Sequence, residues 1–362
     1  MTKDRYPLEA LADLPGVSFA SMRQMMLFQA NEDALDILED EPGRLTVQTT
    51  WGLIGLRPGI DAETACLVAA ADARWLFALK GGVVEQIQGV LPQLADAIRW
   101  SGSEEEGGLP PNFQFVRASK VETLGSAFLR VTLECQDLSS YTDDAIHFRI
   151  VLPPRGVAPE WPSVQANGAT LWPEGAAAPH KPVYTARAVD HAAHTLLMDV
   201  YIHDGGRTTE WAKSIMHGSQ ERRVIGLLGP GGGGLLNADR VLIASDETGF
   251  PAVARLIEGL PDRSSAEVIL EAENGAACTY PFPERKDIDV KWLSRSAGDN
   301  LGEASIAALA RHPKSVIWFA GERQDARNLR GAAKRDDRTP ADLRISAFWK
   351  TPTGHLPSAS PK

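Results

Sequence analysis

From residue 240 onward the chain alternates two kinds of segment. RVLIASD, AEVILEAE, SVIWFAG and LRISAFW are short and apolar, while ETGFPAVARLIEGL, EASIAALARH and ERQDARNLRGAAKR space their apolar residues at helical intervals. Continuous apolar runs suit strands covered on both faces, and period-3.6 runs suit the helices that cover them. The alternation therefore predicts a parallel sheet with helices on both sides, whose ligands sit at the carboxyl ends of the strands. Asp246, Glu271 and Gly321 fall at those ends.

The preceding region has another rhythm. FQFVRASKVETLG, SAFLRVTLEC, AIHFRIVLPP, VYTARAVD and TLLMDVYIHD are short, rich in β-formers and bounded by Gly, Pro, Asp or Ser. That spacing predicts an antiparallel β-barrel, followed by a helix over TTEWAKSIM and the turn-rich VIGLLGPGGGG. Residues 101–112, SGSEEEGGLPPN, lack apolar periodicity and read as an exposed linker. Ahead of it, NEDALDILED reads as helix, RLTVQTTWGLIGLRP as two short strands around a turn, and DARWLFALKGGVVEQIQGVLPQLADAIRW as helix with glycine and proline breaks. A chain of 362 residues exceeds what one core serves. The expected organisation is a small α+β domain over 1–110, a β-barrel over 111–236 and an α/β parallel-sheet domain over 237–362.

Charge excludes one class of partner. The net charge of −10 argues against nucleic acid, whose binding rests on neutralised phosphates. Residues 1–110 carry 17 Asp and Glu against 8 Lys and Arg, so the acidity belongs to the first module. Residues 321–350 run the other way, with 8 basic against 5 acidic residues, and could meet an anion. No apolar run reaches the roughly 18 residues that cross a bilayer, and the start carries acids and prolines where a secretory signal has a basic patch. A cytoplasmic protein without membrane insertion is expected. Cys66, Cys135 and Cys278 are scattered, with no CxxC spacing, and read as core thiols; no metal site is expected.

Residues 182–187, PVYTAR, place an aromatic, a hydroxyl and a guanidinium on one extended segment. Strand alternation would put Tyr184 and Ala186 on one face and Thr185 and Arg187 on the other. A flavin nucleotide uses all three groups: a ring surface, a partner for ring nitrogens and a charge for its pyrophosphate. An ordinary barrel strand would also favour Tyr and Thr.

A barrel strand ending YTAR, a strand ending in His203, a Trp-Ala helix start, a GPGG turn, SDETGFPA, a late AGE and a terminal FWK occur in that order. Together they resemble the siderophore-interacting protein family of ferric-siderophore reductases, over roughly residues 113–350. The resemblance implies a ferredoxin reductase-like pairing of an FAD-binding barrel with an NAD(P)-binding α/β domain. Residues 20–100 resemble, more weakly, an uncharacterised domain fused ahead of such reductases. In that family the tyrosine packs on the flavin ring, the hydroxyl approaches the reactive ring nitrogen and the arginine supports the pyrophosphate; these roles fall on Tyr184, Thr185 and Arg187. The family also has an arginine two places before the tyrosine, where this chain has Pro182 with Lys181 adjacent.

The resemblance further implies that Tyr201, Ile202 and His203 line the flavin and that Thr208, Thr209 and Trp211 open a helix facing its phosphates. Threonines there also suit helix capping, and both can hold. Asp246, Glu247 and Thr248, with Gly321 and Glu322 one strand later, would hold the nicotinamide nucleotide; an N-cap by Asp246 or Thr248 is the alternative. NADPH or NADH is left open, with Arg323 and Arg327 as candidates for a 2′-phosphate. Arg149 and Lys350 match basic family positions and are candidates for the ferric siderophore. Residues 229–234 lack GxGxxG spacing and read as a turn between domains, His191 and His194 as a solvated hairpin turn, and Trp51 and Trp75 as packing residues. The implied activity is an NAD(P)H-dependent, FAD-containing ferric-siderophore reductase releasing Fe(II). The alternatives are a general flavin reductase or diaphorase, or a siderophore-binding protein without redox activity.

Overall fold

The computed structural model describes residues 5–351 except 34, 50, 61–62, 103–105, 335–337 and 339–341. The middle of the expected linker, 103–105, thus lies outside the described residues, as do the first four residues of the chain. Two compact units are formed, one from Met1–Arg117, Glu134–Val183 and Glu221–Gly231, the other from Ala118–Leu133, Tyr184–Gln220 and Gly232–Lys362. No helix among the described residues is long and apolar enough to cross a membrane.

The first unit begins with β1 (Leu8–Ser18), α1 (Phe19–Asp33), β2 (Asp36–Glu41), β3 (Arg44–Gln48), β4 (Gly52–Pro58), β5 (Glu63–Ala70), α2 (Ala73–Val90), α3 (Pro92–Ala95) and β6 (Arg99–Trp100). The strands form a sheet in the order β2-β3-β4-β5-β1-β6, every pairing antiparallel. Asp72 starts α2 by accepting from the backbone N–H of Arg74 and Trp75, and Leu76, Leu79, Val83, Val84 and Ile87 form its buried stripe. The helix was expected to break at its glycines and does not. At Gly81, Gly82 and Gly89 a side chain would meet open space, so each costs only its backbone entropy, about 1 kcal/mol, against a whole buried face. A second expectation also fails: DILED of NEDALDILED is strand, because β2 takes its conformation from a ladder with β3.

The next strands are β7 (Phe113–Leu124), β8 (Phe128–Cys135), β9 (His147–Val151), the two-strand hairpin β10 (Ser163–Val164) and β11 (Thr170–Leu171), then β12 (Val183–Thr185), β13 (Ala188–Asp190) and β14 (Thr195–Tyr201). Helix α4 (Arg207–Met216) and strand β15 (Val224–Gly231) follow. Seven of these strands form one sheet in the order β12-β9-β15-β7-β8-β14-β13. Its outermost strands, β12 and β13, are joined by Ala186 and Arg187 alone. Six spacings of about 4.8 Å would part them in a flat sheet, and so short a link reaches roughly 10 Å. The sheet therefore curls, as a barrel does. The β10–β11 hairpin serves the first unit's core: Ala169 is buried in one apolar cluster with Leu14, Val84 and Ile98, and Asn167 Nδ2 donates to Ala95 O at 3.1 Å.

The C-terminal sheet contains β16 (Arg240–Asp246), α5 (Phe250–Gly259), β17 (Ser265–Ala272), β18 (Ile288–Ser294), α6 (Leu301–Arg311), β19 (Val316–Glu322), α7 (Arg323–Ala333) and β20 (Leu343–Trp349). It is wholly parallel, in the order β18-β17-β16-β19-β20. The winding direction reverses between β16 and β19, so the switch point lies at Asp246 and Gly321.

Candidate functional site

The edge segment 182–187 departs from simple alternation. Ile150 donates its N–H to Pro182 O at 3.2 Å, and a proline suits a strand start because only its carbonyl is used. Strand β12 ends at Thr185, and Thr185 and Ala186 are buried in succession, so the expected two-face pattern stops before Arg187. Burial pushes the Tyr184 phenol up to about 12, and the Thr208 side chain beside it offsets part of that rise. The Arg187 fork is engaged by Glu258 on α5, NH1 and NH2 lying 2.8 and 2.7 Å from its carboxylate oxygens. Its remaining donor, Nε, is buried without a partner. Lys181, the cation next to Pro182, has its ammonium 3.7 Å from the Trp172 ring centre, and its carbonyl accepts from Arg149 NH1 at 3.1 Å.

Strand β14 and helix α4 meet at a tight turn. Ile202 donates its N–H to Ala127 O at 2.8 Å, Tyr201 OH donates to Glu247 Oε1 at 3.3 Å, and His203 is exposed. Burial and the Glu247 carboxylate push the Tyr201 phenol up to about 12. The helix starts one residue earlier than the sequence suggests: Gly206 is its N-cap, so Thr208 and Thr209 lie inside its first turn. A side chain at Gly206 would stand 2.7 Å from His203 Nε2 and 2.9 Å from Thr209 Oγ1, so any other residue there would have to push the exposed imidazole aside. No side chain caps the helix. Thr209 Oγ1 donates to Tyr201 O at 3.3 Å, while the buried Thr208 Oγ1 completes no hydrogen bond at good geometry. Trp211 is fully buried and packs inside the protein rather than presenting a surface.

At the switch point Asp246 is both cap and anchor. Its Oδ1 accepts from Thr248 N at 2.9 Å and Thr248 Oγ1 at 2.5 Å, and its Oδ2 accepts from Trp349 Nε1 at 2.6 Å. Burial raises its carboxyl above the usual range, against the pull of those bonds. Gly249 leaves no room for a side chain, which would stand 2.1 Å from Ser245 Oγ. One strand over, Gly321 packs against Asp246, and Glu322 caps α7 by accepting from Gln324 N while also accepting from Thr351 N at 3.0 Å. Thr248, Arg323, Arg327 and Lys350 are exposed.

The sequence reading missed the residue that organises this edge. Arg295, just after β18, donates Nε to Glu271 at 3.2 Å, NH1 to Glu273 at 3.2 Å and NH2 to Glu247 at 2.6 Å. A second buried cluster joins Asp199 to Arg130 Nε and NH2 at 2.7 and 2.8 Å and to Tyr280 OH at 2.6 Å. Strand β18 shows only Leu293 buried, so nothing in its pattern pointed toward Arg295. Elsewhere His191 and His194 are exposed in the β13–β14 turn, Trp51 stacks on Trp75 with ring centres 3.8 Å apart, and all three cysteines are buried and outside any disulfide. The expected turn at 229–234 is half strand, because residues 229–231 close β15, which pairs with β9 as far as Gly231; beyond it Arg344 NH1 donates to Gly234 O at 2.8 Å.

An uncapped helix start with a buried, unsatisfied hydroxyl, next to a tyrosine edge strand and a partnerless guanidinium N–H, suits an anionic group such as a dinucleotide pyrophosphate. A barrel-like sheet of this kind followed by a parallel sheet with a switch point defines the flavin- and nicotinamide-linked class of reductase folds. Residues 117–234 match the model described as siderophore-interacting FAD-binding domain, and residues 238–352 that of siderophore-interacting protein. The chain belongs to the siderophore-interacting protein family. It is 25% identical over 249 residues to the NADPH-dependent ferric-chelate reductase of Escherichia coli, a match covering 66% of this chain and 92% of that protein. It is 29% identical over 262 residues to the ferric vibriobactin reductase ViuB of Vibrio cholerae, covering 68% and 92%. In fold it resembles the siderophore-interacting protein of Acinetobacter baumannii, with a TM-score of 0.53, 21% identity and coverage of 68% and 93% of the two chains.

Proposed function

We propose that this chain is an NAD(P)H-dependent, FAD-containing ferric-siderophore reductase that works in the cytoplasm and releases iron as Fe(II). FAD, when bound, links the two-electron hydride of a nicotinamide to the one-electron reduction of ferric iron. The uncapped start of α4, with Thr208 Oγ1 unsatisfied beneath Tyr184, is the observation that carries the reading.

The chain's own residues bind and orient. Tyr184 offers its ring to the flavin, the first-turn amides of α4 with Thr208 and Thr209 receive the pyrophosphate, and Tyr201 to His203 line the same place. Asp246, Glu247, Thr248, Gly321 and Glu322 frame the nicotinamide nucleotide at the switch point. Arg149 and Lys350 are exposed cations available to an anionic ferric chelate. No acid or base is demanded, because a siderophore's hard oxygen donors lose their hold once Fe(III) becomes Fe(II).

The test is reconstitution of the purified chain with FAD, then anaerobic reduction by NADH or NADPH. Addition of a ferric siderophore with an Fe(II)-trapping dye should reoxidise the flavin and develop the dye's colour. A chain that retains no flavin ends this reading.

A further inference from the structure

The sheet of the first unit is covered by helices on one side only. Met26 of α1 and Val83 of α2 share one apolar cluster with Ala12 of β1 and Cys66 of β5, so both helices lie on the same face. Alternation sends the neighbouring Leu11, Asp13 and Leu67 to the other face, together with Gly55 and Arg57 of β4. There Leu11 is 46% exposed, Asp13 and Arg57 are exposed, and Leu67 and Gly55 are half-buried. Register sets these residues in rows across β1, β5 and β4. One row is Asp13, Ala65 and Arg57; the next is Leu11, Leu67 and Gly55. Neither Asp13 nor Arg57 has an ion-pair partner among the described residues, and two strand spacings, about 10 Å, part them.

A face with an acid on one side of its central strand and a base on the other, at the same level, is complementary to itself. A two-fold axis along β5, in the plane of contact, keeps each row at its level and exchanges β1 with β4. Asp13 then meets Arg57 of the second copy and Arg57 its Asp13, as an isologous contact requires. Leu67 meets its own counterpart on the axis, and Leu11 lies over Gly55, the position in that row without a side chain. A partner of one charge sign would be drawn to one side of the row and repelled by the other. At the row's rim the axis sets Arg99 of β6 against Arg44 of β3, but both already turn to their own chain: Arg99 NH1 donates to Asp96 O and Ile98 O at 2.6 and 2.8 Å, and Arg44 NH1 to Glu39 Oε1 at 3.3 Å. We propose that this chain forms a two-fold dimer through the uncovered face of its amino-terminal sheet, with a second copy as the occupant. Six strands and about five residues of length give a face of roughly 29 by 17 Å, about 1,000 Å² over two copies, which is the lower end for a specific contact. The dimer is therefore reversible, with a dissociation constant on the order of micromolar.

The experiment is analytical ultracentrifugation of the full-length chain over about 1–200 μM. The parent is expected to pass from monomer to dimer within that range. Asp13→Arg and Arg57→Asp each set like charges together twice in a two-fold contact, and each should raise the dissociation constant about tenfold or more. The double exchange D13R/R57D swaps the two signs and should recover most of the parent's affinity. All these residues are exposed, and far-UV circular dichroism reports that each variant is folded. A parent that stays monomeric at the highest concentration overturns the proposal. So does a dimer that the single exchanges leave untouched or that the double exchange fails to restore. Flavin and nucleotide take no part in the measurement, so its outcome is independent of the reductase reading.

Discussion

Trp349 donates its indole N–H to Asp246 Oδ2 at 2.6 Å, tying the end of β20 to the end of β16 with β19 between them. The same carboxylate caps the turn that opens toward α5. One buried acid thus fixes both the switch point and the last strand of the sheet.

Replacing Trp349 with Phe keeps most of the ring and removes the donor. Loss of a hydrogen bond to a buried charge should cost about 1.5–3 kcal/mol in urea unfolding, while Trp349→His, which restores an N–H, should recover part of it. An unfolding curve identical to the parent's would show that the bond contributes nothing in solution.

Asp199 holds Arg130 and Tyr280 together and is 2% exposed. Removing it by Asp199→Ala strands a partly buried guanidinium and should destabilise the chain by about 3–5 kcal/mol, whereas Tyr280→Phe should cost about 1–2 kcal/mol. Chemical denaturation of both variants checks the ranking, and the reverse order would place the energy in the phenol rather than the ion pair.

Pro182 puts no cation just before β12, and the Arg187 fork is held by Glu258. Pro182→Arg should tighten FAD about tenfold in a fluorescence titration, since a guanidinium fork suits a pyrophosphate and the point charge of the neighbouring Lys181 does not replace it. Unchanged or weaker affinity would mean that this strand start does not face the cofactor phosphates.

Burial pushes the Cys66 thiol from its ordinary 9.0 to about 12. The native chain therefore keeps a proton that the unfolded chain has lost between pH 9 and 12, so this group's contribution to stability falls as pH rises through that window. The slope should reach about 1.4 kcal/mol per pH unit, and Cys66→Ala should flatten it in denaturation midpoints measured at pH 9 and pH 10.5. A thiol reagent at pH 8 should label none of the three native cysteines and all of them in denaturant.

The parallel sheet was legible because buried strands must be apolar throughout: RVLIASD and SVIWFAG name β16 and β19 almost to the residue. Asp246 was equally legible, since an acid at a strand-to-helix turn suits a cap, and its side chain does cap that turn. What escaped the sequence was set by distant pairing. β18 sits at the sheet's edge with most of its residues partly or fully exposed, so it carries no strong pattern, and Arg295 finds Glu247 across 48 positions. β2 is wholly solvent-facing apart from Glu39, so its acid-rich sequence looked helical until the ladder with β3 was seen. Gly206 was overlooked because its value lies in a missing side chain over His203, which only coordinates reveal.

Ala169 belongs to the middle stretch of the chain, yet it is buried among residues of the first hundred. The family match starts at residue 117 and includes that hairpin, so part of the inherited flavoprotein region has its apolar lining supplied by a segment that lies outside the match. The amino-terminal region is thus one wall of that hairpin's core. Without the first hundred residues the turn at Ala169 would face water.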